Sequence, residues 1–126
     1  MVDLLHRRLR GEQAIGRLIS THEPLFVTPH IFYELFRGVR RAHNPDAERR
    51  LIARVGERFR SLPFDREAAS LAARMADYLE EQGQSIPEID LYIAASAIVW
   101  GDGVVVTGDV EHFQRLAPFG LRVVPT

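Results

Sequence analysis

The sequence predicts an α/β fold with a parallel sheet flanked by helices, and three observations carry that prediction. Helical and β-rich segments alternate along the chain, divided by turn and capping residues. The run Val104-Val-Val106 is β-branched and too apolar for a surface strand, which suits a strand covered on both faces, as parallel strands are. Leu121-Arg-Val-Val124 supplies a last strand.

The elements follow in order. Val2 to about Leu9 reads as a helix, and Glu12 to Ser20 continues with Ala14, Ile15, Leu18 and Ile19 as an apolar stripe. Leu25-Phe-Val27 is a short buried strand. Thr28-Pro29 starts a helix with a capping hydroxyl and a proline at the first helical position, and Ile31, Phe32, Leu35, Phe36 and Val39 form its apolar face. Asn44-Pro45 ends it. Asp46 to about Arg60 is an amphipathic helix through Leu51, Val55 and Phe59, followed by Leu62-Pro-Phe64 as a candidate short strand. Asp65 caps the next helix, which runs through Ala68, Leu71, Ala72, Met75 and Leu79 to a stop at Gly83. Ser85-Ile-Pro87 leads into the helix bearing Asp90, and Gly101-Asp-Gly103 terminates that helix.

Residues 1–126 read as one domain, long enough to bury a core without disulfides or a structural metal. The composition, 46% hydrophobic and 26% charged, is that of a globular protein, and no apolar run approaches the roughly 20 residues of a membrane span. With no export signal at the amino terminus, the expected location is the cytoplasm. The chain has no cysteine, which excludes disulfides, thiolate metal sites and a cysteine nucleophile. The formal net charge of -1 provides no overall basic field, so any nucleic-acid contact must be local. All 16 basic side chains are arginine. They cluster with His6 at Arg7, Arg8 and Arg10, and again at Arg37, Arg40 and Arg41; either run fits a solvated helix face or a phosphate contact.

Three acids stand out. From Asp90, helical spacing lands on Ile93, Ala94 and Ala97, which places a carboxylate on an apolar face. Such an acid must be neutralised, paired with a cation or bound to a metal. Asp109 follows the strand Val104 to Val106, where Gly108 lets the backbone turn, and Glu34 borders the apolar stripe of the helix after Leu25 to Val27, beside the small Gly38. In an open α/β sheet, ligands gather beyond the carboxyl ends of the strands. Three carboxylates brought there repel unless a hard divalent cation, Mg2+ or Mn2+, sits among them. Each acid also has a structural reading: Asp109 as the N-cap of a Val110 to Leu116 helix, Glu34 as an i, i+3 partner of Arg37, and Asp90, like Glu88, as an acid favoured by the helix dipole. His112 reads as a helix residue packed near Phe113, and His6, His22, His30 and His43 show no metal-ligand spacing.

Three segments, Phe32-Tyr-Glu-Leu-Phe-Arg-Gly-Val39, Ile86-Pro-Glu-Ile-Asp-Leu-Tyr-Ile-Ala-Ala-Ser96 and Val105-Val-Thr-Gly-Asp-Val-Glu-His-Phe113, resemble in order and spacing the later motifs of PIN-domain ribonucleases, particularly VapC-type toxins. The resemblance implies a Rossmann-like α/β/α sandwich with a central parallel sheet and an acidic cluster that binds Mg2+ or Mn2+ and hydrolyses RNA. It implies Glu34, Asp90 and Asp109 as the catalytic, metal-binding acids, with Thr107 as a nearby hydroxyl contact and Arg37, Arg40 or Arg41 against the substrate's phosphates. It further implies an antitoxin partner and a homodimer. The family's pattern begins with a strand ending in a further acid. Met1 to Gly11 resembles the helix after that strand, so Asp3 is not assigned to the metal, and the expectation is an upstream start or a truncated copy. The competing expectation is a non-catalytic PIN module that binds an antitoxin or itself. A receiver-like phosphoacceptor ranks last, because the chain has no lysine to serve it.

Overall fold

The computed structural model describes residues 26–107 and 109–125; the expected helices over 2–9 and 12–20 and the turn at Gly108 lie outside the described residues. Strand β1 (Phe26–Val27) leads into helix α1 (Pro29–Val39), then come α2 (Pro45–Arg58), β2 (Arg60–Ser61), α3 (Arg66–Glu81) and α4 (Glu88–Trp100). The chain continues through β3 (Val104–Thr107), α5 (Val110–Gln114), a 3-10 turn (Ala117–Phe119) and β4 (Arg122–Pro125). All strand pairing is parallel among the described residues. β1 runs beside β2 with Phe26 opposite Arg60, and β3 beside β4 with Val105 opposite Val123, as two separate two-stranded sheets.

Local chemistry accounts for most element boundaries. Asn44 accepts the Ala47 N–H at 3.1 Å and Asp65 accepts the Ala68 N–H at 3.1 Å, each satisfying a donor that the first turn of a helix leaves open. Gly83, with φ at 66°, closes α3 in the left-handed region that glycine enters without a Cβ clash. Gly101 is required for a different reason. A Cβ there would stand 2.9 Å from the Ala97 carbonyl oxygen and 3.1 Å from Leu62 Cδ1, so the end of α4 could not lie so close to the segment after β2.

Three local expectations change. The strand expected at Leu62 to Phe64 forms two residues earlier, at Arg60–Ser61, where the backbone meets β1. Leu62 instead joins the core, and Pro63 has no N–H to offer a ladder. The Thr28 hydroxyl makes no capping bond at the start of α1, although the residue is fully buried at the N-cap position. α5 stops at Gln114 instead of Leu116, and the 3-10 turn containing Pro118 takes over.

The core is one cluster in which Val55, Met75, Leu79, Ile93, Val105, Phe113 and Leu116 are fully buried. α4 lies at its centre, against α3, α1, α5 and β3, and its buried residues include Leu91 and the run Ile93 to Ala97. That is the pattern of a helix enclosed on nearly all sides. Its carboxyl end is tied to the start of α3: the Trp100 indole N–H donates to Asp65 Oδ1 at 3.1 Å, the same oxygen that caps α3. The Ala68 N–H and the indole together hold the Asp65 carboxyl below its ordinary range. No helix among the described residues is long and apolar enough to cross a membrane.

Near the start of α1, His30 packs against Phe64 and Tyr92 with ring centroids 5.0 and 5.2 Å away, and its Nδ1 is buried with no hydrogen-bond partner among the described residues. Burial lowers its pKa below the ordinary 6.5. As pH falls below about 6.5, the unfolded chain takes up a proton that the folded chain resists, so the fold loses stability across that window. Replacing His30 with Phe keeps an aromatic ring in place and removes the titration. The expected result is a urea midpoint that falls less between pH 7.5 and pH 5.5 in His30→Phe than in the natural chain; equal falls would remove His30 as the cause.

Candidate metal centre

The helix start that follows Pro87 fixes the first acid. Asp90 lies in the first turn of α4, its N–H donating to the Pro87 carbonyl at 3.1 Å, and its side chain is 0% exposed. Ile93, Ala94 and Ala97, the neighbours that helical spacing gave it, are fully buried too. The second acid is set by the end of β3. Thr107 Oγ1, almost wholly buried, accepts the Asp109 N–H at 2.9 Å, a local turn that holds the chain as it leaves the strand. Asp109 occupies the N-cap position of α5, yet its side chain makes no capping hydrogen bond.

α5 contributes a third group. Its one buried residue, Phe113, faces the core, and the preceding His112 brings Nδ1 within 3.1 Å of Asp90 Oδ2. One ligand atom each from Asp90, Asp109 and His112 lies within 4.8 Å of the others. Two carboxylates at that separation repel by about 3.5 kcal/mol at an effective dielectric of about 20, so the cluster calls for positive charge. Either an imidazolium donating to Asp90 or a divalent cation can supply it, and the two are exclusive at Nδ1, whose lone pair a metal would take. Two carboxylate oxygens and an imidazole nitrogen fit a small divalent cation, and the nitrogen suits Mn2+ better than Mg2+.

Of the acids expected from the sequence, the structure brings Asp90 and Asp109 together. Glu34 lies outside their 4.8 Å group, half-buried on α1, a helix that packs against α4. Glu34 lines an open cleft of about 710 Å³ together with Tyr33, Phe36, Arg37, Gly38, Arg40 and Arg41. His112, which sequence spacing gave only a packing role, belongs to the group. Its signal was present: it stands three residues after Asp109, one helical turn on the same side.

The PIN domain pattern matches residues 1–117. The chain belongs to the PIN domain family. Among curated proteins, this PIN domain is 28% identical over 109 residues to the ribonuclease VapC of Rickettsia bellii (strain RML369-C), covering 84% of this chain and 81% of that protein. Among solved structures, it is similar to VapBC2 from Rickettsia felis bound to a DNA fragment from its promoter, at a TM-score of 0.75 and 17% identity, covering 100% and 99% of the two chains. It is also similar to VapBC-5 from Mycobacterium tuberculosis, a member of the VapBC family of toxin-antitoxin systems, at a TM-score of 0.60 and 28% identity over 76% and 77% of the chains. The parallel pairing and the enclosing helices of the present chain are therefore those of a PIN fold.

Proposed function

We propose that this PIN domain is a metal-dependent endoribonuclease and the toxin of a toxin–antitoxin pair, acting in the cytoplasm. The observation that carries the reading is the convergence of Asp90, Asp109 and His112 at the carboxyl end of β3, in a PIN-family chain related to a VapC ribonuclease. Asp90 and Asp109 hold the cation, Mg2+ or Mn2+, and Glu34 completes the acid set from α1. When bound, the cation supplies Lewis-acid stabilisation of the charge that grows on a scissile phosphate. His112 either adds a ligand or orients Asp90 through the 3.1 Å contact. Thr107 fixes Asp109 by accepting its backbone N–H. Arg37, Arg40 and Arg41 contact phosphates of the RNA chain beside Glu34. The relation to VapBC toxin-antitoxin systems supports an antitoxin as protein partner. A homodimer is the assembly this reading assigns to the toxin.

The test is incubation of the purified chain with labelled, structured RNA in Mn2+ or Mg2+, and again in EDTA. Cleavage is expected with metal, lost in EDTA and restored by added Mn2+. A folded chain that leaves RNA intact under every condition would make it a PIN module that binds without hydrolysing.

A further inference from the structure

Arg115 joins the two segments that carry the metal group without belonging to that group. One guanidinium nitrogen donates to the Gln84 carbonyl oxygen at 3.3 Å and another to Glu111 Oε1 at 3.0 Å. Gln84 lies in the loop between α3 and α4, shortly before Pro87, whose carbonyl receives the Asp90 N–H. Arg115 caps the carboxyl end of α5, one helical turn beyond His112. A single fork thus spans the segment that leads into Asp90 and the helix that carries His112, 31 residues apart in the chain.

Gln84 offers a fixed point. Its N–H reaches the Leu79 carbonyl at 2.8 Å and the Gly83 N–H reaches the Glu80 carbonyl at 3.0 Å, the pair of bonds that closes a helix through a left-handed glycine. Leu79 is itself in the core. α5, by contrast, is 5 residues long and buries only Phe113, a ring that sets how close the helix lies and leaves it free to pivot. A second anchor removes that freedom. The Glu111 side chain is 84% exposed, so its ion pair with Arg115 is worth little in itself and serves to aim the fork. We infer that Arg115 is a positioning residue of the metal centre: by tying α5 to the Gln84 carbonyl it sets the angle at which Asp109 and His112 face Asp90. The inference rests on the metal-dependent reading of that centre.

Positioning and bare charge predict opposite signs. Loss of a positive charge one turn from His112 would by itself favour a bound cation, whereas loss of an orienting group weakens metal binding. Mn2+ affinity is measured on the full chain by electron paramagnetic resonance of the free ion, without RNA and well below the melting temperature. The expected result is affinity about tenfold or more weaker in Arg115→Met, which keeps the stem and removes the donors. At saturating Mn2+ the kcat and KM for RNA should return to those of the natural chain. Arg115→Lys keeps the charge and loses the fork, so it also should bind Mn2+ more weakly, and it carries the test if the Met variant does not fold. Affinity unchanged or tighter in both variants overturns the proposal, and so does a lower melting temperature with no change in affinity, which would make Arg115 a stability residue alone. Cleavage that excess Mn2+ does not restore overturns it as well, by placing Arg115 on the substrate. A natural chain that binds no Mn2+ removes the centre and the proposal together. The ribonuclease reading fails separately, if the natural chain binds Mn2+ and cuts no RNA.

Discussion

Asp90→Asn is expected to leave the fold in place and to lower metal-dependent RNA cleavage by more than about a hundredfold. Loss of a group that merely orients a metal ligand costs about 10 to 100-fold in affinity or activity, so loss of the ligand's charge costs more. The change is close to isosteric, which matters because Asp90 is wholly enclosed among Ile93, Ala94 and Ala97. Its oxygen can still accept a hydrogen bond from His112 across the 3.1 Å contact, so packing survives while the negative charge does not. Two measurements separate the effects. Cleavage of structured RNA in Mn2+ reports the site, and thermal unfolding with and without Mn2+ reports binding, since an ion that binds the folded state at roughly 100 times its Kd adds about 2.7 kcal/mol. Mn2+ should raise the melting temperature of the natural chain and not of the variant. Undiminished cleavage would strip Asp90 of its role.

Phe113→Ala should unfold much of what positions the centre, at a cost of about 3 to 5 kcal/mol. Phe113 is 0% exposed and is the one buried residue of α5, a helix of 5 residues that cannot persist without tertiary packing. Its ring holds α5 to the core between Asp109 and the turn at Leu116. With the ring gone, His112 loses its position against Asp90 even in molecules that remain folded. Urea unfolding should show a lower midpoint with the slope preserved, and the Mn2+ response should weaken with it. A loss below about 1 kcal/mol would mean that the loop after β3, rather than the core, seats α5.

The sequence made Asp90 legible because its signal is local: helical spacing alone put the carboxylate among residues that prove to be fully buried. The Asp65 cap, sealed by the Ala68 N–H, was readable on the same grounds. What depended on distant partners was not. β2 forms where Arg60 meets Phe26 and not where composition favoured a strand, because pairing between segments far apart in the chain decides the register. His112 stands one turn from Asp109, but its partner Asp90 is 22 residues away, a contact that spacing along α5 does not reveal. Glu34 stood at the margin of an apolar stripe, which fixed its side of α1 without fixing its distance from the other acids.

The chain contains one tryptophan, and its indole N–H is bound to the oxygen that caps α3. The fluorescence of Trp100 is thus wired to the junction between α3 and α4. Because Asp90 lies in the first turn of α4 and Trp100 ends it, the one tryptophan watches the far end of the helix that carries Asp90, and no external dye is needed to follow it.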